Sequence, residues 1–384
     1  MKVFFTLDTV TIGGTEKSTL DIISNFSEDT NATVIYFYNK HELKSAFEKA
    51  NIPLYYANLK TKKSYLAGVR YLIQLIKKQK PDIVVSSIAS ADLISRIACF
   101  ITGTPIIGTL VNDTYGEIRI QEQRKSKNYI KFRYSWFLDR ITAFVPKFWI
   151  SNCKSIAFSN AKALGLNLNK VSVIYRGRTT NQFPLWQPPS DLKIIKFVFI
   201  GRLLERKGLF ELLKVFKKLK EDHQPVHLDI FGGGPISATL QKYIDENQLQ
   251  HIVTLHGITP NGWKKLYDGH CFLFPSWYEG FSGSLVEAMF AGIPIIASDI
   301  LMNKEAVTDK KTALIFKVKD ADDLLHKIKL MISNYPEMIE MGKRAREEAF
   351  QRFDIKIIAK QYEEFLKSIV NKKVDSSQLL QKGD

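Results

Sequence analysis

Phe274-Pro275-Ser276-Trp277-Tyr278-Glu279-Gly280-Phe281-Ser282-Gly283-Ser284-Leu285-Val286-Glu287-Ala288-Met289-Phe290-Ala291-Gly292-Ile293-Pro294 runs from the end of a strand at Phe274, through a glycine-rich loop, into a helix that begins near Ser284. Glycine lets backbone come close to a ligand, and the unpaired N–H groups of a helix start attract phosphate. Glu287 is expected on the first turn of that helix, where a carboxylate can grip vicinal hydroxyls, and Glu279 lies eight residues earlier on the loop. Two carboxylates around a phosphate-binding helix start suit a sugar nucleotide, with ribose at one end, hexose at the other and diphosphate between. A plainer assignment suits the same residues: Glu287 as a helix-start glutamate favoured by the macrodipole, with Gly280 and Gly283 as turn formers.

On both sides of this segment, short β-branched or aromatic runs alternate with helical patterns. Strands are expected at 3–7, 33–38, 82–87, 105–111, 155–158 and 171–175, and again at 197–201, 226–231, 252–256, 271–274, 294–297 and 313–316. Leu66, Val69, Leu72, Ile73 and Ile76, mostly three or four apart, mark one intervening helix. Such alternation implies an α/β fold of parallel sheets with helices on both faces. The pattern pauses at Phe183-Pro184-Leu185-Trp186-Gln187-Pro188-Pro189-Ser190-Asp191, whose three prolines read as an interdomain linker. The expected division is a first Rossmann-like domain over 1–184, a linker over 185–192 and a second Rossmann-like domain over 193–355. A helix over 356–370 able to cross back to the first domain and a polar tail over 371–384 complete the chain. The two domains are expected to face each other across a cleft.

The chain's 384 residues suit two domains with full hydrophobic cores. With 45% hydrophobic and 24% charged residues, wholesale disorder is excluded. Lys and Arg number 55 against 39 Asp and Glu, a net charge of +16. Residues 1–190 hold 26 basic and 13 acidic side chains, and 191–384 hold 29 and 26, so the excess lies in the first half. A basic half points to a polyanionic neighbour, either nucleic acid or an anionic membrane surface. Cys99, Cys153 and Cys271 are far apart and read as buried thiols in a reducing compartment. The apolar start Met1-Lys2-Val3-Phe4-Phe5-Thr6-Leu7 stops at Asp8, too short for a signal-peptide core. No run of ~18 apolar residues occurs, so a cytoplasmic, non-spanning protein is expected.

The pattern Pro-Ser-x-x-Glu-Gly-Phe, Glu-Ala-Met and Gly-Ile-Pro-Ile-Ile-Ala-Ser-Asp around Glu279 and Glu287 resembles the signature of glycosyltransferase family 4, the group 1 retaining transferases of GT-B fold. Gly13-Gly14, Val173-Ile174-Tyr175-Arg176-Gly177, Phe199-Ile200-Gly201-Arg202-Leu203, Lys207-Gly208, Asp229-Ile230-Phe231-Gly232-Gly233-Gly234-Pro235 and Leu255-His256-Gly257 extend the resemblance in the expected order. It covers nearly the whole chain and is densest in the second half.

The resemblance implies an acceptor-binding first domain and a nucleotide-sugar-binding second domain. Arg202 and Lys207 would clamp the diphosphate, two fixed cations offsetting the charge of the leaving nucleoside diphosphate. Taken alone, Arg206 and Lys207 would as readily form a solvated helix start. N–H groups of Ser284 and Leu285 would face a phosphate, and Glu287 would hold the ribose. Backbone groups of Gly280, Phe281 and Ser282 and the carboxylate of Glu279 would meet the donor sugar. Gly257 and Ile258 would lie along the base, and Gly14 would let the first domain's loop close on the phosphates. The family often carries a histidine after the fourth strand of its first domain. Here Asn112-Asp113-Thr114 follows instead, making Asn112 or Asp113 the possible sugar contact. Ser298-Asp299 is followed by the bulkier Ile300-Leu301-Met302-Asn303-Lys304-Glu305 rather than two glycines.

Other signals carry less. Gly13-Gly14-Thr15-Glu16-Lys17-Ser18 has Glu16 where a P-loop requires glycine. Asp320-Ala321-Asp322 reads as a helix cap rather than a metal pair, and the seven histidines show no ligand spacing, so neither metal nor cofactor is expected. Gly232-Gly233-Gly234-Pro235 fits a tight turn at least as well as a ligand contact. Residues 119–154 hold nine Lys or Arg, two acids and eight aromatics. Basic residues interleaved with aromatic ones suit an anionic headgroup layer. Core aromatics beneath a solvated charged face explain them equally well, whereas nucleic acid lacks any recognition motif here. The expectation is therefore a metal-independent retaining glycosyltransferase using a nucleotide-sugar donor and a lipid-linked or surface-polysaccharide acceptor, peripheral at the cytoplasmic face of the plasma membrane. The alternatives are a transferase with a soluble acceptor and a GT-B protein that binds a nucleotide sugar without turnover.

Overall fold

A computed structural model describes residues 1–61 and 64–380. The chain forms two compact units, one of Met1–Gly177 with the segment from Ile355 onward, the other of Arg178–Asp354. The first contains seven strands: β1 (Lys2–Leu7), β2 (Asn31–Tyr38), β3 (Leu54–Leu59), β4 (Ile83–Ser86), β5 (Ile106–Leu110), β6 (Phe148–Ser151) and β7 (Val171–Val173). They pair in parallel in the order β3-β2-β1-β4-β5-β6-β7. The second contains β8 (Ile195–Ile200), β9 (Val226–Phe231), β10 (Val253–Gly257), β11 (Cys271–Phe274), β12 (Ile295–Ser298) and β13 (Leu314–Phe316). Its parallel order is β10-β9-β8-β11-β12-β13. Both are doubly wound α/β sheets, and the two-sheet GT-B class is the fold of the protein.

Strand alternation separates the two faces of the first sheet. Val3, Phe5, Leu7, Val34, Ile83 and Val85 pack in one core, and Phe4, Ile35, Phe37, Val84 and Ile94 in the other. Three expectations differ from the structure. The strand expected at 155–158 is β6 (Phe148–Ser151); residues 155–158 lie in the helix Lys154–Leu164, where Ile156, Asn160 and Leu164 turn inward at helical spacing. The edge strand β3 lies where the sequence carries no strong strand signal, its residues mostly half-buried. The expected boundaries also shift: the first unit ends at Gly177 rather than 184, and the stretch 185–192 is part of the second unit. Trp186 explains why those prolines do not make a loose linker. It is buried, its backbone N–H donates to Ala291 O (2.9 Å) and its indole donates to Gly269 O (3.0 Å).

The last helix, Ile355–Leu380, belongs to the first unit and extends past the expected end at 370; residues 381–384 of the expected polar tail lie outside the described residues. Its Ile358, Tyr362 and Leu366 complete the core that contains Val3 and Phe5. Glu363 fastens it further. Its carboxylate accepts from Ser27 N–H (3.1 Å), from Ser27 Oγ (2.5 Å) and from Thr30 Oγ1. Burial opposes the charge, but these donors hold the carboxyl down to about 2, below the ordinary glutamate value of 4.5. A depressed folded-state pKa stabilises fully above the ordinary value and loses its effect as pH falls through the lowered one. The difference in unfolding free energy between wild type and Glu363→Gln should therefore be constant from about pH 7 to about pH 5 and shrink steadily toward about pH 2. Urea melts across that range check this, and a pH-independent difference would contradict it.

Candidate active site

In doubly wound sheets, ligands gather at the carboxyl ends of the strands where the order reverses. In the second unit that place lies between β8 and β11, so the loops following these strands, Gly201–Gly208 and Pro275–Ser282, form its walls. The two loops are in backbone contact. Trp277 N–H donates to Arg206 O (2.8 Å), and Gly208, at φ +69°, leaves no room for a side chain because a Cβ there would lie 2.2 Å from Pro275 O. This approach puts Lys207, on a 3₁₀ turn, against Glu279. Both are more than nine-tenths buried, and the ammonium is paired with Glu279 Oε1. Arg206 donates to Glu279 Oε2 (3.3 Å) and to Tyr278 O (2.9 Å), with its guanidinium over the Tyr278 ring. Burial pushes the Lys207 pKa down against the pull of Glu279. For Glu279 burial acts the other way, but Lys207 and Arg206 hold its carboxyl below the usual carboxylate range. Lys207 is thus not a bare clamp: it is one of two cations sharing a carboxylate.

The helix expected near Ser284 is Gly283–Ala291, and it places Glu287 on the second turn rather than the first. Glu287 Oε1 accepts from Nε of the buried Arg178 (2.8 Å), a pairing across 109 positions that leaves no signal in the sequence. Ser284 is half-buried with its Oγ 3.2 Å from that of Ser282, while Leu285 and Phe281 are core side chains, Phe281 packing on Phe353. Only backbone groups of those two can reach a ligand, and the first N–H groups of the helix are not used by its own ladder. Gly280 lies on the same loop. After β8, Arg202 is exposed and makes no ion pair among the described residues. At the end of β10, Gly257 adopts φ +73°, and Ile258 is 84% exposed beside Gly233. Gly232 and Gly234 close a tight turn in which a Cβ would collide with Gly201 O or Leu203 O. Asp320 caps the helix Ala321–Ser333 by accepting from Asp323 N–H (3.0 Å).

In the first unit, Gly14 opens the helix Gly14–Ile23, and a Cβ there would lie 3.2 Å from the Arg176 guanidinium. Asp113 is engaged within its own unit: Ser159 Oγ donates to its Oδ1 (2.6 Å), and burial raises its pKa. Asn112 is exposed, its carbonyl accepting from Asn160 Nδ2 (2.9 Å). Residues 119–154 span the helices Glu117–Lys125 and Tyr129–Thr142 and β6. Neither helix buries a residue. Trp149 is core, but Ile130 (83% exposed), Tyr134, Phe137 and Ile141 form one bare stripe, extended by Phe144 (70% exposed). The picture of core aromatics under a solvated face is therefore corrected for this helix.

Lys207 and Glu279, both expected near the donor, meet in the structure; Arg206, expected in a solvated turn, joins them, and the contacts of Arg178 with Glu287 and of Arg176 with Gly14 carry no signal in the sequence. The buried Lys207–Glu279 pair with the half-buried Arg206 beside it gives a direct energetic expectation. Glu279→Leu strands two neighbouring cations and should cost about 3–5 kcal/mol of stability, as for a broken buried pair. Lys207→Met should cost less, because Arg206 still neutralises the carboxylate. The double variant should cost clearly less than the sum of the two, and urea unfolding of all four proteins measures the coupling.

Family models match both halves of the chain: "Glycosyltransferase Family 4" over residues 12–182 and "Glycosyl transferases group 1" over residues 184–348. The uncharacterized glycosyltransferase MJ1059 of Methanocaldococcus jannaschii is 27% identical over 308 residues, covering 76% of this chain and 74% of that protein. The capsular polysaccharide biosynthesis glycosyltransferase CapM of Staphylococcus aureus is 24% identical, covering 78% of this chain and 80% of its own. Among solved structures, Anabaena Alr3699/HepE in complex with UDP superimposes with a TM-score of 0.81 at 20% identity over 96% of this chain and all of its own. The lipopolysaccharide outer core galactosyltransferase WaaB aligns at 0.74 and 20% identity over 96% of this chain and 99% of its own. With both halves matched and the reversal point of the second sheet built around Lys207, Glu279 and Glu287, the chain belongs to the group 1 glycosyltransferases of family 4 and is a glycosyltransferase enzyme.

Proposed function

We propose that this enzyme moves a sugar, with retention of anomeric configuration, from a nucleoside-diphosphate sugar to a lipid-linked or surface-polysaccharide glycan. The observation that carries the reading is the buried Lys207–Glu279 pair, flanked by the half-buried Arg206, at the reversal point of the second sheet, next to a helix start. Relatives named for capsule biosynthesis support the acceptor class.

The chemistry follows from charge. As the glycosidic bond breaks, negative charge grows on the leaving diphosphate, and preorganised donors aimed there lower the barrier. Arg202, Lys207 and the N–H groups of Ser284 and Leu285 supply them. Glu279 favours the charged form of Lys207 despite burial and fixes its position, so no reorganisation is needed when the donor arrives. Its carboxylate and the backbone of Gly280, Phe281 and Ser282 meet the sugar. Arg178 orients Glu287 for the ribose hydroxyls, and Ile258 on Gly257 offers an apolar shelf for the base. Gly14, beside Arg176, takes the phosphate side of the first unit, and Asn112 rather than the engaged Asp113 is available to the sugar. The nucleotide sugar is a substrate, and we infer that side-chain cations rather than a metal ion carry the diphosphate charge. No side chain is assigned as a covalent nucleophile, so positioning and charge stabilisation supply the acceleration.

The acceptor's lipid fits the stripe Ile130, Tyr134, Phe137 and Ile141, bordered by Lys127, Lys131, Arg133 and Arg140. Apolar side chains reach the headgroup boundary, and each Lys or Arg adds roughly 1 kcal/mol near an anionic surface. No helix among the described residues is long and apolar enough to cross a membrane. Burial of Cys99, Cys153 and Cys271 suits a reducing compartment, which favours the cytoplasmic face.

Two measurements test this reading. Thermal melts with UDP-, GDP- and ADP-sugars should show stabilisation by one class. With that donor, Lys207→Ala and Glu279→Ala should each lower turnover by roughly 100-fold or more, with EDTA leaving the wild-type rate unchanged. Near-wild-type turnover in both variants overturns the site. The chain should also sediment with anionic vesicles at low salt, less so at high salt and less so after Phe137→Ser with Ile141→Ser; absence of binding at low salt rejects the membrane surface.

A further inference from the structure

The first unit holds a cavity of about 320 Å³ beyond the carboxyl ends of β4 and β5, walled by the helices Ala89–Thr102 and Tyr129–Thr142. Three of its lining side chains carry buried polar atoms that lack a well-formed hydrogen bond among the described residues, Asp92 Oδ1, Asn160 Oδ1 and Arg96 Nε, with the Ser86 hydroxyl beside the Asp92 carboxyl. An unpaired buried polar atom costs about 1–3 kcal/mol, and folded proteins rarely leave one without a use. Three around one cavity call for an occupant that makes their hydrogen bonds.

The surrounding contacts narrow its chemistry. Arg96 is 2% exposed, its guanidinium lies over Trp149 (4.9 Å), and its Nη1 donates to Asp139 Oδ1, to Asp139 O (3.2 Å) and to Thr142 Oγ1 (3.1 Å). Tyr115 OH donates to Asp139 Oδ2 (2.7 Å) and completes the brace. The Arg96 charge is thereby matched by Asp139, while Nε remains as a directional donor. Asn160 spends its Nδ2 on Asn112 O and keeps its Oδ1 unpaired. Burial pushes the Asp92 carboxyl up to about 7, which disfavours a bound cation and leaves it able to exchange a hydrogen with a hydroxyl. A phosphate would meet that carboxyl and the Asn160 carbonyl, both acceptors. A group that donates and accepts at once, such as a sugar hydroxyl, suits all three atoms. Phe132 and Trp136 supply apolar wall for the ring face, and the volume, near the lower end for ligand pockets, limits the guest to about one ring.

We infer that this cavity recognises the acceptor, holding one neutral hexose or N-acetylhexosamine ring of the glycan through Asp92, Asn160 and Arg96; the inference rests on the glycosyl transfer proposed above. The test is saturation-transfer NMR on the full chain with methyl glycosides of glucose, galactose, N-acetylglucosamine and N-acetylgalactosamine, with UDP titrated separately as a probe of the second unit. At least one glycoside should bind. Asp92→Leu replaces the buried carboxyl with an apolar group of the same branched outline, and Ser135→Trp fills the cavity from an exposed helix position. Each should weaken glycoside binding by roughly tenfold or more. Asp92→Leu should leave the melting temperature unchanged or higher, which a structural role for Asp92 would not allow, and UDP affinity should stay the same in both variants. Glycoside binding that survives both substitutions overturns the inference, as does a wild-type chain that binds UDP but no glycoside; the cavity then holds ordered water only. Failure to bind UDP counts against the donor site itself, and with it the acceptor role.

Discussion

A buried ammonium and a buried carboxylate join the loop after β8 to the loop after β11, and the geometry of the second unit's site depends on that contact. Charges so removed from water persist only when paired and hydrogen-bonded. The pairing requires the loops to touch, and they touch because Gly208 accepts a left-handed backbone conformation directly against Pro275 O. Arg206, bound to the same carboxylate, leaves the trio one positive charge in excess. That excess lies beside the start of the helix Gly283–Ala291, so side-chain charge and backbone dipole favour the same anion.

The first unit solves a related problem differently. Arg96 is buried deep in the fold, matched by Asp139 and braced by Tyr115 and Trp149. This network ties the loop after β5 to the helix Tyr129–Thr142, whose opposite face carries the bare apolar stripe. One helix therefore presents a cavity wall that sets Asp139 and Thr142 beside Phe132 and Trp136, and an apolar, basic-rimmed outer surface. The absence of buried residues in the helices Glu117–Lys125 and Tyr129–Thr142 fits an outer layer rather than a core element.

Parallel pairing throughout both sheets brings the loops after β1, β4 and β5 to one end of the first sheet and those after β8 to β11 to one end of the second. Residues as far apart in sequence as Lys207 and Glu279, or Arg178 and Glu287, meet for this reason. The same topology lets loop residues such as Asn112 vary while the frame stays intact.

Much of this was legible in the chain itself. Apolar runs alternating with helical spacing determine two parallel sheets, because strands buried on both faces tolerate little polarity. The stretch from Phe274 to Pro294 announces a strand, a glycine loop and a helix start, and nearly every second-unit site residue lies on or near such a loop. Elements without a strong local signal were read less well: β3 is a half-buried edge, and β6 was displaced because Ser155 to Phe158 carries β-favouring residues that in fact serve a helix. Only the tertiary structure decided who pairs with whom. Which cation holds Glu279, that Arg178 reaches Glu287, that Asp113 turns to Ser159, and that Tyr134, Phe137 and Phe144 stay uncovered depend on distances between segments folded together from remote positions. Periodicity along a chain records which way a side chain faces, and carries no record of what waits on the other side.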